Sequence, residues 1–265
     1  MTIGTAVPSK DELKVAPHDF IQNKSIHETF TVGDFEREAT KKIDNLLINN
    51  DYAVVVGGSG LYVDALLNGL DSFPDIDTEI RQQLTQDFET NGIEYLQKLL
   101  QEMDIDFYQK LSFENPQTLQ NPQRMLRFLE VCVGSGKPYS SFLNKHKTVR
   151  NFNPILIGLE ADRKIIYNRI EQRVDTMMEN GLLDEVKSLQ QYQQLNALQT
   201  VGYKELFQYF NNEITLNFAI AEIKKNTRRY AKRQLTWFKR YENASWFDFE
   251  TDFENIIQII KDKTI

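Results

Sequence analysis

The stretch of the sequence that most suggests chemistry is a glycine-rich turn, Gly57-Gly58-Ser59-Gly60, within VVVGGSGLYVDALLNGL. An apolar β-branched run precedes the turn, and a helical pattern follows it. Unpaired N–H groups at the start of a helix attract anions, and the Ser59 hydroxyl could reach a phosphate or a base. The turn has no lysine after it, unlike a nucleotide-binding phosphate loop. The alternative is that the glycines only allow a tight turn between strand and helix.

A second candidate site is the segment KKNTRRYAKRQLTWFKR, residues 224–240, which carries eight basic residues and no acid. At about 100° per residue, the basic side chains fall within one half of a helix and the apolar ones lie around the other. In a chain of net charge −7, such a local field indicates a polyanionic partner. The alternative is a solvated helix face that is balanced by acidic residues elsewhere. The basic residues form a basic stripe that comprises Lys224, Lys225, Arg228, Arg229, Lys232, Arg233, Lys239 and Arg240. The apolar side comprises Tyr230, Ala231, Leu235, Trp237 and Phe238.

Two arginine pairs could each bind an anion. Arg169 and Arg173 stand one turn apart in a predicted helix, and Arg124 and Arg127 lie near the start of another. The alternative for each pair is a salt bridge to Asp or Glu.

No complete nucleoside-triphosphate loop of the form G-x-x-x-x-G-K-[ST] is present in the 265 residues. The nearest match, Gly134-Ser135-Gly136-Lys137, has Val131 at the first glycine position and Pro138 after the lysine. Because it follows a helical run, we interpret it as the turn that ends that helix.

Several classes of site are disfavoured. His18, His27 and His146 are scattered, and we assign none of them to a metal. The single cysteine, Cys132, lies in the apolar run FLEVCV and is expected to be buried and not catalytic. Without an internal disulfide, a secretory signal or a membrane-length apolar run, we expect a cytoplasmic protein.

The elements that position these residues alternate between helix and strand, which predicts an α/β core with a parallel sheet. Glutamine-rich and acidic residues from about 75 to 118 predict a small helical insert. Buried strands are predicted at 52–56 and 154–159, and helices at 31–49, 61–67, 121–134, 162–180, 182–194, 203–211 and 215–240.

Motifs in a fixed order give the chain a resemblance to a known family. They are P-H-D-F, F-T-V-G-D-F, G-G-S-G-L-Y, A-L-L-N-G-L, N-P-Q-R, S-G-K-P, R-I-E-Q-R-V-D, T-V-G-Y-K-E-L and K-N-T-R-R-Y-A-K-R-Q-L-T-W-F. Together they resemble the tRNA dimethylallyltransferases, also called tRNA isopentenyltransferases, over essentially the whole chain. The resemblance implies transfer of a dimethylallyl group from dimethylallyl diphosphate to the exocyclic amine of the adenosine beside the tRNA anticodon.

The resemblance also implies an architecture and partners. A core similar to phosphate-loop kinases would comprise residues 1–74 and 119–265, and the helical insert at 75–118 would grip the anticodon stem. The expected partners are tRNA and dimethylallyl diphosphate, with Mg²⁺ as cofactor and no membrane. A monomer is expected.

Roles for individual residues follow from the same resemblance. Arg173 would contact the diphosphate and Ser59 the target nucleotide, and both are expected to be catalytic. The further residues expected to contact tRNA are Arg81, Gln123, Arg124, Met125, Leu126, Arg127, Gln199, Thr200, Val201, Gly202, Tyr203, Lys204, Arg228, Arg229, Lys232 and Arg233.

The start of the chain departs from the family pattern. The segment Ile3-Gly4-Thr5-Ala6-Val7-Pro8 resembles one that follows the phosphate loop in the family. Roughly forty residues would then be absent, including the loop lysine and an aspartate that accepts the amine proton. We therefore expect a misassigned start or a truncation, and poor activity for the chain as written. Two hypotheses stay open, an enzyme of this family and an inactive tRNA-binding remnant, whereas the basic stripe disfavours a small-molecule kinase.

Overall fold

The computed structural model describes residues 1–143 and 148–264, which form two compact units. The core unit comprises Met1–Leu67 and Asn151–Ile265, and the inserted unit comprises Asn68–Arg150. The inserted unit contains the predicted helical insert, 75–118, and extends beyond it at both ends. The helix that was predicted to begin at residue 121 therefore belongs to the inserted unit.

Helices dominate both units. In chain order they are α1 (Lys10–Val15), α2 (Val32–Leu47), α3 (Gly60–Asn68), α4 (Thr78–Met103), α5 (Ile105–Glu114), α6 (Pro122–Ser135), α7 (Arg163–Glu179), α8 (Leu182–Ser188), α9 (Tyr203–Phe210), α10 (Leu216–Phe238) and α11 (Phe253–Asp262). Helices α1 and α11 were not predicted.

The described sheet lies in the core unit and has two parallel strands, β1 (Ile157–Glu160) and β2 (Ser245–Asp248). Their register pairs Ile157 with Ser245 and Glu160 with Asp248. Strand β1 overlaps the predicted strand 154–159, whereas β2 was not predicted. The parallel pairing agrees with the expected α/β core.

The prediction of a buried strand at 52–56 was wrong. The run has no ladder partner among the described residues, and Val54, Val55 and Val56 are exposed. An apolar β-branched run has the propensity for a strand, but a strand forms only where a neighbour supplies the backbone hydrogen bonds.

The core unit places α7 and α10 side by side around one hydrophobic cluster. Asp162 caps α7 through Lys164 N, and Thr215 caps α10 through Phe218 N. These caps fix the start of the two helices that carry Arg173 and the basic stripe. The buried members of the cluster are Val174, Leu182, Val186, Leu198, Tyr203, Leu206, Phe207, Ala219 and Ile223.

The inserted unit is helical in its described part. Asn121 caps α6 with Pro122 at the first position, as predicted, and Gly136 ends the helix at φ 65°. The Gly134–Lys137 segment is therefore a helix end and not a phosphate loop. Apolar side chains of α4, α5 and α6 form its core: Leu84, Leu96, Leu100, Phe107, Leu119, Met125, Leu126, Phe128, Leu129 and Cys132.

Candidate nucleic-acid interface

The glycine turn packs directly against α10. Gln234 Nε2 donates to the Gly58 carbonyl oxygen at 2.8 Å, and a Cβ added at Gly60 would overlap the Trp237 ring. Gly57, Gly58 and Gly60 do not adopt positive φ. The turn therefore does not need glycine for a left-handed backbone. It needs a small residue at Gly60, because the Trp237 ring of the helix carrying the basic stripe lies only 2.3 Å from the position of an added Cβ.

Ser59 opens α3 with an exposed side chain. Its carbonyl oxygen accepts from Tyr62 N at 3.0 Å and from Val63 N at 3.1 Å, which begins the helix. No residue in the described ranges bonds the Ser59 hydroxyl. The hydroxyl is therefore available to a ligand at the N-terminal end of α3.

Helix α3 is also joined to the end of α10. Arg240 donates to Asp64 Oδ2 at 3.2 Å, and the Tyr241 hydroxyl donates to Asp64 Oδ1. Burial, followed by the hydrogen bond and the charge of Asp64, raises the pKa of Tyr241. Tyr241 thus stays protonated and continues to donate, which joins the helix that follows the glycine turn to the end of the basic helix.

The predicted basic stripe divides into paired and unpaired charges. Lys224 forms an ion pair with Asp175 at 2.6 Å, and Arg228 forms one with Glu171 at 2.7 Å. For these two residues the alternative reading applies, in which the positive charge on the helix face is balanced by acidic residues of another element. Tyr230 was expected on the core side, but it is 40% exposed, so that assignment was wrong.

Arg173 lies on α7 with an exposed side chain. It forms no ion pair within residues 1–143 and 148–264, while its neighbours Ile170 and Val174 are buried and anchor the helix. Arg169, one turn earlier, places its guanidinium 4.8 Å from the centre of the Phe249 ring. Arg173 is therefore an unneutralised cation on a fixed helix.

The segment 199–204, which runs into the start of α9, is fastened to α10 through a buried carboxylate. Gly202, at φ 97°, donates its N–H to Glu205 Oε2 at 2.8 Å. Glu205 Oε1 accepts from Asn226 Nδ2 of α10, also at 2.8 Å. Of the predicted site residues, Gln199 and Thr200 are exposed before α9 and Lys204 is exposed in its first turn, whereas Val201 is half-buried and Gly202 is buried.

Tyr203 does not offer its side chain to a ligand, because it is fully buried. Its hydroxyl donates to Glu185, whose carboxylate also accepts from the N–H groups of Thr2, Ile3 and Gly4 at 2.8, 2.9 and 3.1 Å. Burial opposes ionisation of Glu185, but these hydrogen bonds outweigh it and hold its pKa below the usual value. Sequence reasoning missed Glu185, because only the folded chain brings it to the first residues.

The predicted arginines of the inserted unit form a network around Glu130. Arg81 binds Glu130 at 3.0 Å and Gln123 Oε1 at 2.9 Å, and Arg127 binds Glu130 at 3.2 Å. Two guanidinium groups thus share one carboxylate, which leaves a net positive charge. Arg124 instead donates to the Thr118 hydroxyl at 3.0 Å, so its charge is not neutralised there.

Met125 and Leu126 were expected among the tRNA contacts, but their side chains are buried in the core of the inserted unit. Their positions follow the 3.6-residue period of α6, whose other face carries Gln123, Arg124 and Arg127. The buried pair positions that exposed face and does not itself reach solvent.

Other chemistry is sparse in the described ranges. No group of three or more His, Cys, Asp or Glu side chains there is arranged to hold a metal, and His146 lies outside them. Burial raises the pKa of the Cys132 thiol to about 11, which agrees with an inert core residue. Among the described helices, none has the length and apolar character needed to cross a membrane.

Comparisons with known proteins agree with these features. A family model described as IPP transferase matches residues 1–241. The tRNA dimethylallyltransferase of Flavobacterium johnsoniae is 63% identical over 260 residues, covering 98% of this chain and 84% of that protein. The tRNA dimethylallyltransferase 1 of Bacteroides thetaiotaomicron is 42% identical, covering 96% and 80%.

Solved structures show the same fold. The full-length tRNA isopentenylpyrophosphate transferase of Bacillus halodurans matches with a TM-score of 0.66 and 33% identity, covering 98% of this chain and 81% of that one. A eukaryotic dimethylallyltransferase acting on tRNA matches with a TM-score of 0.72 at 24% identity, covering 93% and 63%. The predicted α/β fold class is confirmed.

Proposed function

Because the chain belongs to the IPP transferase family, we propose that it transfers a dimethylallyl group from dimethylallyl diphosphate to N6 of the adenosine adjacent to the tRNA anticodon. The structural observation that supports this proposal most is the packing of the glycine turn on α10. It brings a helix N-terminus, an exposed serine and a cationic helix together on one surface. A small-molecule transferase has no need for such a surface.

Departure of diphosphate is the step that demands positive charge. As the bond between the dimethylallyl carbon and the phosphate oxygen breaks, negative charge grows on the leaving oxygens. Arg173 is exposed and has no carboxylate partner in the described chain, so its charge is available to bind them. The Ser59 hydroxyl, also unbonded there, would orient the target nucleotide.

Recognition of tRNA needs cations that reach phosphates. In the core unit, Arg229, Lys232, Arg233 and Lys204 are exposed. In the inserted unit, Gln123, Arg124 and Arg127 share the exposed face of α6, with Arg81 hydrogen-bonded to Gln123. We propose that the inserted unit grips the anticodon stem while the core unit binds the loop. A target base must leave its stack to reach a reacting carbon.

We also propose Mg²⁺ as the cofactor, a cytoplasmic location and a monomeric state. Mg²⁺ is commonly held by one or two carboxylates together with substrate phosphates. The described residues offer no cluster of ligands for it, so the diphosphate would supply most of its ligands.

An inactive tRNA-binding protein is the second candidate. The observation in its favour is that the 265 residues contain no G-x-x-x-x-G-K-[ST] motif. Both candidates predict tRNA binding, so only transfer separates them.

The deciding experiment incubates tRNA, labelled dimethylallyl diphosphate and Mg²⁺ with two polypeptides. One is this chain, and the other is this chain extended at its N terminus by a segment carrying that motif. Labelled tRNA with either polypeptide supports the enzyme. Binding of tRNA with no label from either would establish the second candidate instead.

A further inference from the structure

The cations near the middle of α10 and those just past its C-terminal end are paired with acids. Near its middle, Lys224 and Arg228 are paired with Asp175 and Glu171 of α7, as described above, and Lys225 pairs with Glu222. The distal end is neutralised in the same manner. There, Lys239 lies 3.1 Å from Glu160, and Arg240 lies 3.2 Å from Asp64.

Between these pairs lies a short unpaired segment. Arg229, Lys232 and Arg233 are exposed and form no ion pair with any residue that the structure describes. Among the described residues, the one side-chain hydrogen bond of these three cations runs from Arg229 Nη1 to Asn226 Oδ1 at 3.4 Å. Their i, i+3 and i+4 spacing places the three cations on one face of the helix. The free positive charge of α10 is therefore concentrated within little more than one turn.

An aromatic ring lies beside these cations. Tyr230 is 40% exposed, and the Arg233 guanidinium carbon is 5.7 Å from the centre of its ring. Because the Tyr230 ring is exposed, burial of its apolar surface contributes little to the stability of the fold. Alternating aromatic and cationic groups is the arrangement by which proteins bind single-stranded nucleic acid, with bases stacked on rings and phosphates on cations.

We propose that Tyr230 stacks on an unpaired nucleotide of the RNA while Arg229, Lys232 and Arg233 bind the flanking phosphates. This inference rests on the proposed function and deepens it, because it assigns this segment of α10 to the single-stranded loop and not to the stem. In an A-form duplex the bases are stacked on each other and their faces are covered. An exposed tyrosine can therefore stack only on a nucleotide that has left the duplex.

The test compares Tyr230→Phe with Tyr230→Leu in the full 265-residue chain. Each is titrated with an RNA stem–loop of the anticodon arm and with a duplex of the stem alone. Phenylalanine keeps a stacking ring and leucine does not. We expect Tyr230→Leu to weaken stem–loop binding by about tenfold or more and Tyr230→Phe to stay within about twofold of the parent. Duplex affinity should be unchanged in both.

Three results would overturn the inference. Tyr230→Leu could bind the stem–loop as the parent does, or it could lose affinity equally for the duplex, which would make Tyr230 structural. Melting temperatures of the three proteins show whether any loss reflects unfolding, and Tyr230→Phe serves as the variant that isolates the ring. A parent chain that binds neither RNA would refute the proposed function itself, and this inference with it.

Discussion

Gln234 of α10 donates a hydrogen bond to the carbonyl oxygen of Gly58 at 2.8 Å, across 176 residues of sequence. The contact sets the glycine turn against the helix that carries the free cations. A second contact strengthens it, because Gly60, two residues after Gly58, packs on the ring of Trp237, three residues after Gln234. A substitution in the glycine turn should therefore perturb α10, and a substitution in α10 at this contact should perturb the turn.

Gly60→Ala should destabilise the core unit. An added Cβ would overlap the Trp237 ring, which is rigid and half-buried, so the cost should be about 1–3 kcal/mol. Gly57→Ala is the matched control, because nothing lies within 4 Å of its added Cβ. Thermal melting of both variants checks the prediction. Equal melting temperatures for the two would contradict the close packing described here.

Removal of positive charge from α10 should weaken tRNA binding only at residues that form no ion pair in the described chain. Lys232→Gln with Arg233→Gln should weaken tRNA binding and reduce the slope of log K against log salt by about 1.5 in magnitude. The control is Lys224→Gln with Arg228→Gln. It removes the same number of positive charges, but from residues that are already paired with acids. Titrations at several salt concentrations give both slopes. If the control loses as much slope as the first variant, the division of the stripe is wrong.

Much of this arrangement could be predicted from local sequence. Thr31 and Asn121 mark helix starts by their caps, and both caps form in the structure. The period of α10 was also visible, but a helical wheel cannot say which neighbours the helix will meet. Tyr230 was therefore assigned to the wrong side, because it is exposed, while Lys224 and Arg228 of the expected polar side meet acids of α7.

Contacts that depend on distant segments could not be predicted. The run Val54–Val56 has strand propensity but meets no pairing partner in the described chain. Glu185 gained its role only because folding brings the backbone of residues 2–4 to its carboxylate. The proposed catalytic residues, Ser59 and Arg173, could be located in the sequence, but their roles rest on the family.

Arg173→Ala should slow transfer without destabilising the fold. The side chain has no ion-pair partner in the described ranges, so the melting temperature should hardly change. The rate should fall by about 100-fold or more, because the charge on the diphosphate grows in the transition state. Arg163→Ala, also exposed on α7, is the control and should keep its rate. Single-turnover rates and melting are measured on the form that shows transfer. A destabilised Arg173 variant with near-normal turnover would make this arginine structural.

Glu185 should make stability depend on acid pH. Its pKa in the folded protein lies below the ordinary 4.5. Its contribution is therefore full above about pH 4.5 and is lost as the pH falls through the folded value. Glu185→Gln should lower the free energy of unfolding at pH 7 and weaken its decline in acid. Asp184→Asn, exposed next to it, is the control. Denaturant titrations at pH 7 and in acid test this, and an acid decline in Glu185→Gln as steep as in the parent would contradict it.

The most direct test of the central claim is to locate the added group in the RNA. Two tRNAs are incubated with dimethylallyl diphosphate, Mg²⁺ and whichever of the two polypeptides, the chain or its N-terminally extended form, shows transfer. The tRNAs are then digested to nucleosides for mass spectrometry. One is unmodified, and the other carries guanosine in place of the adenosine beside the anticodon. We predict dimethylallylated adenosine from the first tRNA and none from the second. Equal modification of both, or of neither while both bind, would contradict the proposed function.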